Sequence, residues 1–171
     1  MGHGTSRVGG YTRTEIFHWS PEIPHLYEEL KDILHTSSSW DALHKALNSF
    51  GRGYVYRNAN HRIIGLSLWY EVVTFTLTQG KRSTLYLVAI YDTNSTTIPN
   101  IVLYDIQEYC KAQFIGEIHM DMAAPETRTW LTTLGFSECG DGSSCIVKRI
   151  QLVTPITGLG LLQSLNWLDG R

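Results

Sequence analysis

The chain has 171 residues, 43% hydrophobic and 18% charged, with a formal net charge of −2. That size and balance fit one soluble folded domain with a substantial core. Without a basic excess, nucleic acid is not the expected main partner. The apolar runs fall short of a membrane span, and the first ten residues lack the apolar stretch of a signal peptide, so the expected location is cytoplasmic or within a virion, without secretion by a signal peptide.

Residues 1–10 carry four glycines and read as a flexible arm. Thr12 to Trp19 reads as a strand, with Ile16 and His18 on one side and Phe17 and Trp19 on the other. Ser20-Pro21-Glu22 predicts a helix start, with Ser20 as N-cap, proline in the first turn and an acid near the positive end. Ile23, Leu26, Leu30, Ile33 and Leu34 follow at helical spacing. After Ser37–Ser39, a second helix is predicted with Trp40, Leu43, Ala46, Leu47 and Phe50 on one face, ended by Gly51.

From Gly53 the apolar period changes to two. Strands are predicted over Gly53–Arg57, Arg62–Leu77 and Ser83–Tyr91, with turns at 58–60 and 79–82. The third of these is apolar enough to be central. A polar loop and Pro99 lead to a helix over Asn100–Gln113, with Ile101, Leu103, Ile106 and Cys110 as its packing positions. Ile115 to Met122 alternates apolar and polar, as a strand does. Pro125 opens a short helix that Leu134-Gly135-Phe136 closes, and Ser137–Glu138 with Cys145–Val153 form a hairpin.

The cysteines are Cys110, Cys139 and Cys145, an odd number that argues against a disulfide framework. Cys139 and Cys145 flank a turn and could pair across it; two reduced thiols is the expected state. No CxxC motif and no histidine pair at zinc spacing occurs, so no metal site is expected.

The element order from Tyr11 to Val153, together with Leu134-Gly135-Phe136, resembles the GCN5-related N-acetyltransferase (GNAT) superfamily. The resemblance implies an α/β (α+β) fold: a mixed, mostly antiparallel twisted sheet of six to seven strands flanked by about four helices. The organisation expected is an arm (1–10), a domain (11–153) and an apolar C-terminal tail (154–171).

The resemblance also says where acyl-CoA chemistry should lie. A glycine-rich loop normally cradles the pyrophosphate at a helix N-terminus. The corresponding segment, Asn94 to Asn100, has no glycine and no basic residue. Thr96, Thr97 and Asn100 are its candidate cofactor-binding residues, and capping explains the threonines equally well. The family's CoA-contacting asparagine falls on Ala124, and its tyrosine general acid on Leu131. Acetyl-CoA is therefore expected only if the protein is active, and otherwise no cofactor.

Glu117, His119 and Asp121 project to one strand face, either as acid–base groups or as a wetted surface. Glu71, within an apolar strand, is a further candidate base, with Arg62 or Lys81 as the expected ion partner. In the tail, Leu161, Leu162, Leu165, Trp167 and Leu168 form an apolar surface that packs on its own domain or docks on a partner. The leading expectation is a non-catalytic structural or protein-binding component of a larger assembly, joined through its termini to a protein partner or a second copy. GNAT-like proteins of this sort are known among virion-associated proteins of tailed phages. The alternatives are an acyl-CoA-dependent N-acyltransferase with an atypical cofactor loop, and a host-directed effector.

Overall fold

The computed structural model describes residues 5–8, 10–34, 44–78, 80–92, 98–121, 125–140 and 144–152. Eight strands form one sheet: β1 (Thr5–Val8), β2 (Tyr11–Phe17), β3 (Arg52–Asn58), β4 (Ile63–Thr76), β5 (Gly80–Asp92), β6 (Glu117–Met120), β7 (Ser137–Glu138) and β8 (Ile146–Arg149). The spatial order is β1-β2-β3-β4-β5-β6-β8-β7. Every neighbouring pair is antiparallel except β5 and β6, which run parallel. Among the described residues, three helices accompany the sheet: α1 (Ile23–Leu34), α2 (Ile98–Ala112) and α3 (Pro125–Thr133). Residues 44–47 add a helical turn.

Two local expectations change. Thr5–Val8, inside the stretch read as a flexible arm, forms β1 in register with β2 from Thr5↔Thr14 to Val8↔Tyr11. Glycine content hides this strand in the sequence, because it says nothing of the hairpin partner. Ser20 does not cap α1. Its buried hydroxyl turns back and accepts the Phe17 N–H at 2.9 Å, and the helix begins three residues later. The predicted second helix is described only from residue 44, where Ala46, Leu47 and Phe50 are buried. Trp40, Leu43 and the tail from residue 153 lie outside the described residues.

Period-two alternation divides the core between the sheet's faces. Trp69, Leu85, Leu87, Ile106, Cys110, Ile118 and Leu131 pack on the α2–α3 side. Ile16, Leu26, Leu30, Val55, Leu66 and Leu68 pack on the α1 side, with Ala46 and Leu47 of the helical turn. Leu134-Gly135-Phe136 ends α3 as a Schellman cap. The Phe136 N–H reaches the Leu131 carbonyl at 3.1 Å and the Gly135 N–H reaches Thr132 at 3.2 Å. Gly135 sits at φ 101°, and a Cβ there would meet the Lys148 ammonium at 2.5 Å. That ammonium donates to the Leu134 carbonyl at 3.0 Å.

Candidate functional site

The parallel β5–β6 pairing covers only Thr84↔Glu117, Leu85↔Ile118 and Tyr86↔His119. Beyond Tyr86, β5 continues to Asp92 with no partner on β6. The strands part next to a bulge. On the β4 side, the register passes from Trp69↔Leu87 directly to Leu68↔Ala89, so Val88 is an inserted residue. Such an insertion bends its strand and flips its facing. Leu87 and Ile90 accordingly face the α2–α3 core, while Val88 and Ala89 pack on the opposite core.

At the base of this opening, Ile118 and Met120 enter the α2–α3 core. Glu117 and His119 point the other way, as the alternation predicts. Glu117 is only 8% exposed. Its carboxylate takes Arg82 Nη2 at 2.6 Å and Arg149 Nε at 3.4 Å on Oε2, and His119 Nε2 at 2.9 Å on Oε1. Burial pushes the Glu117 carboxyl up, but the hydrogen bonds from His119 and Arg82 outweigh it and hold the group below the ordinary glutamate value. An ionised carboxylate only accepts hydrogen bonds, so His119 Nε2 carries the proton. In a neutral imidazole Nδ1 then carries the lone pair, and this nitrogen lies 3.4 Å from Cys145 Sγ. The Tyr86 ring, 5.3 Å from the imidazole and stacked 5.3 Å from Tyr70, completes the support.

These groups line an open cleft of about 450 Å³. Tyr86 and Asp121 also border an adjoining recess of about 200 Å³, walled by Lys45, Ser49 and Tyr70. Asp121 is exposed, so it edges the cleft without joining the Glu117 network.

Other expectations are corrected or fall elsewhere. Cys139 and Cys145 are joined as a disulfide, with Cα atoms 5.6 Å apart, and not the expected pair of thiols. The hairpin bond from Cys139 N–H to the Cys145 carbonyl, at 3.2 Å, brings them together. Although no metal site was expected, the ligating atoms of His119, Cys139 and Cys145 lie within 4.8 Å of one another. Glu71 lies outside this site. It is exposed, and it accepts a hydrogen bond from the Tyr109 hydroxyl of α2, not from Arg62 or Lys81. Burial and that bond push the Tyr109 phenol well above the ordinary tyrosine value. Leu131 is fully buried in the α2–α3 core. Thr96, Thr97, Ala124 and the tail residues lie outside the described residues, and for Asn100 only its place in the first turn of α2 is described.

Sequence reasoning missed Arg82, Tyr86, Cys145 and Arg149 as members of the site. The available signal was the even spacing of Arg82 and Tyr86 on β5 and of Cys145, just before β8, with Val147 and Arg149 on it, which puts each set on one face. Among the described residues, no helix is long and apolar enough to cross a membrane.

No protein-family model and no curated protein matches the sequence. Solved structures do match the fold. The chain is similar to the GNAT-family N-acetyltransferase YhbS from Escherichia coli in complex with CoA, with a TM-score of 0.59 and 12% identity over 87% of this chain and 86% of that one. It is similar to GCN5 from Tetrahymena, with a TM-score of 0.55 and 11% identity over 80% and 94% of the two chains. A mutant AtaT toxin, bound to the C-terminus of the antitoxin AtaR and to acetyl-CoA, gives a TM-score of 0.52 and 11% identity over 82% and 94%. The fold is therefore the GNAT fold.

Proposed function

We propose that the protein is an acyl-CoA-dependent N-acyltransferase whose thioester lies in the opening between β5 and β6. The observation that carries this reading is the end of the parallel pairing at Tyr86↔His119 while β5 runs on to Asp92. Among the described residues, β5 beyond Tyr86 has no strand partner on this edge, and it offers backbone groups to an extended, amide-bearing ligand arm. An amine entering from the cleft would attack the thioester carbonyl. His119 Nδ1 would take the amine proton as the C–N bond forms, and would return it to the departing sulfur as the C–S bond breaks. Glu117 fixes the imidazole tautomer and balances the transient charge. CoA and acetyl-CoA in the E. coli and AtaT structures support this use of the fold.

The test is a calorimetric titration with acetyl-CoA, paired with thermal unfolding. Ligand at about 100 times its Kd should stabilise the fold by about 2.7 kcal/mol. Free-thiol release from acetyl-CoA in the presence of amines should then fall at least 100-fold in His119→Ala. No heat and no thermal shift at millimolar acetyl-CoA would rule the reading out.

A second reading has its own support. Leu131, where the resemblance places the general acid, is sealed in the core, and the 94–100 segment has neither glycine nor a basic residue. This favours a non-catalytic, protein-binding component of a larger assembly, the virion of a tailed phage being one such setting. In that case acetyl-CoA has no effect, and deleting residues 155–171 abolishes co-elution with the partner.

A further inference from the structure

We propose that His119, Cys139 and Cys145 form a binding site for a zinc-type divalent metal ion when the Cys139–Cys145 disulfide is open. The three side chains come from two places in the chain, strand β6 and the β7–β8 hairpin. Antiparallel pairing of β6 with β8 sets Glu117 against Arg149 and His119 against Val147, which puts Cys145 diagonally beside His119 on the same face. The short hairpin then delivers Cys139.

The geometry suits a tetrahedral ion. With metal–sulfur and metal–nitrogen bonds of roughly 2.3 and 2.05 Å, a tetrahedron has an S···N edge of about 3.6 Å and an S···S edge of about 3.8 Å. Cys145 Sγ and His119 Nδ1 are already 3.4 Å apart, and all three ligand atoms lie within 4.8 Å. The remaining change is separation of the two sulfurs at a half-exposed hairpin residue, Cys139.

The surroundings suit it as well. In the neutral imidazole, the form that ligates a metal, the nitrogen facing the sulfurs is the one without a proton, because the contact with Glu117 at 2.9 Å holds the proton on Nε2. A carboxylate behind a ligating histidine is the recurrent outer partner of zinc sites. The charges also balance. Two thiolates neutralise a divalent ion, and Arg82 and Arg149 offset Glu117 and Asp121, all four on the same cleft. Three protein ligands leave the fourth position open toward the cleft, for water or Asp121.

The opening step is an ordinary exchange. An external dithiol supplies two electrons and two protons, leaves as its own disulfide and yields the two cysteine thiols. The ion then displaces both thiol protons as it binds. Oxidation and metal binding are thus alternative states of the same sulfurs. A bound ion would also occupy the Nδ1 lone pair assigned above to the amine proton, so the two uses of His119 exclude each other.

The test is anaerobic titration of the full chain with cobalt(II), after reduction and removal of the reductant. One equivalent should produce a thiolate-to-cobalt charge-transfer band and tetrahedral visible bands, both lost on adding zinc. Cys139→Ser and His119→Ala should weaken binding at least 100-fold, and Glu117→Gln 10- to 100-fold. The oxidised protein should give no band. The proposal fails if the reduced wild-type chain shows no charge-transfer band at millimolar cobalt. It fails equally if the band persists unchanged in both Cys139→Ser and His119→Ala, or appears in the disulfide form. Because the wild-type titration alone can refute it, a variant that misfolds does not protect it, and this readout is separate from any response to acetyl-CoA.

Discussion

Glu71 and Glu117 look alike in the sequence, each a carboxylate on a strand of apolar neighbours, yet the fold gives them opposite settings. Glu117 is nearly enclosed on the α1 side of the sheet and gathers two arginines and a histidine. Glu71 is exposed on the α2 side and meets the hydroxyl of Tyr109, whose ring packs 5.2 Å from Trp69. An acid in a strand becomes chemically useful through what the neighbouring strands bring beside it. For Glu117 those strands are β5 and β8. For Glu71, on the long β4–β5 ribbon, the neighbour is a helix and the result is a tie between layers.

The strongest way to break this comparison is to remove the apolar support under Glu71. Trp69 is fully buried between Tyr54, 5.1 Å away, and Tyr109. Trp69→Ala should cost about 3–5 kcal/mol in urea unfolding, through lost burial and the cavity left behind. The Glu117 cluster on the other face should survive it, so cobalt binding or acetyl-CoA binding by the folded fraction should be unchanged. Loss of both would show the two faces to be one cooperative unit.

Next in size is Glu117→Ala. It strips the hydrogen-bond acceptor from His119 and leaves two arginines facing each other. Hydrogen bonds to charged groups contribute about 1.5–3 kcal/mol each at best, and the guanidinium of Arg82 is half-exposed, so a loss of about 2 kcal/mol is expected. Glu71→Ala removes one hydrogen bond at an exposed carboxylate and should cost about 0.5–1 kcal/mol. Equal losses from the two substitutions, measured as urea midpoints at constant m-value, would erase the distinction between the sites.

How much of this could be read beforehand follows from the range of each interaction. The helix closure at Leu134-Gly135-Phe136 was legible because a Schellman cap is local, and Pro125 marks its start for the same reason. Glu117 and His119 were legible as a face, since alternation along one strand is local too. Their partners were not. Arg149 reaches Glu117 only through the β6–β8 register, across 32 residues that include α3, and no residue pattern near either strand specifies that register. The Val88 bulge was equally silent, because the inserted residue is an ordinary aliphatic one. Ser20 misled for the opposite reason. Its local capping signal is sound, but its hydroxyl satisfies the strand end instead.

Acid pH sharpens the comparison further. The folded value of Glu117 lies below its unfolded one. Its contribution is therefore complete above the ordinary glutamate range and is lost as the pH falls through the depressed folded value. Wild-type stability should decline over that acid window, and Glu117→Gln should decline less. If Glu117→Gln declines as steeply as the wild type, the carboxylate that matters has been misassigned.

The smallest effect concerns the other end of the scale. Tyr109 donates its hydroxyl to Glu71, and burial together with that bond keeps the phenol protonated above the ordinary tyrosine range. The neutral form is the one the fold holds, so its contribution is present below that range and lost as the pH rises through it, where the unfolded chain ionises first. Tyr109→Phe removes one hydrogen bond to an exposed acceptor while the ring keeps its contact with Trp69, so about 0.5–1 kcal/mol should be lost at neutral pH. The alkaline decline should become shallower without vanishing, because the buried Tyr56, bonded to Asp105 at 2.6 Å, is shifted the same way. Urea midpoints of both proteins at neutral and alkaline pH measure this. Curves that stay parallel across the tyrosine range would mean that Tyr109 does not feel its carboxylate, leaving Glu71 an ordinary solvated acid.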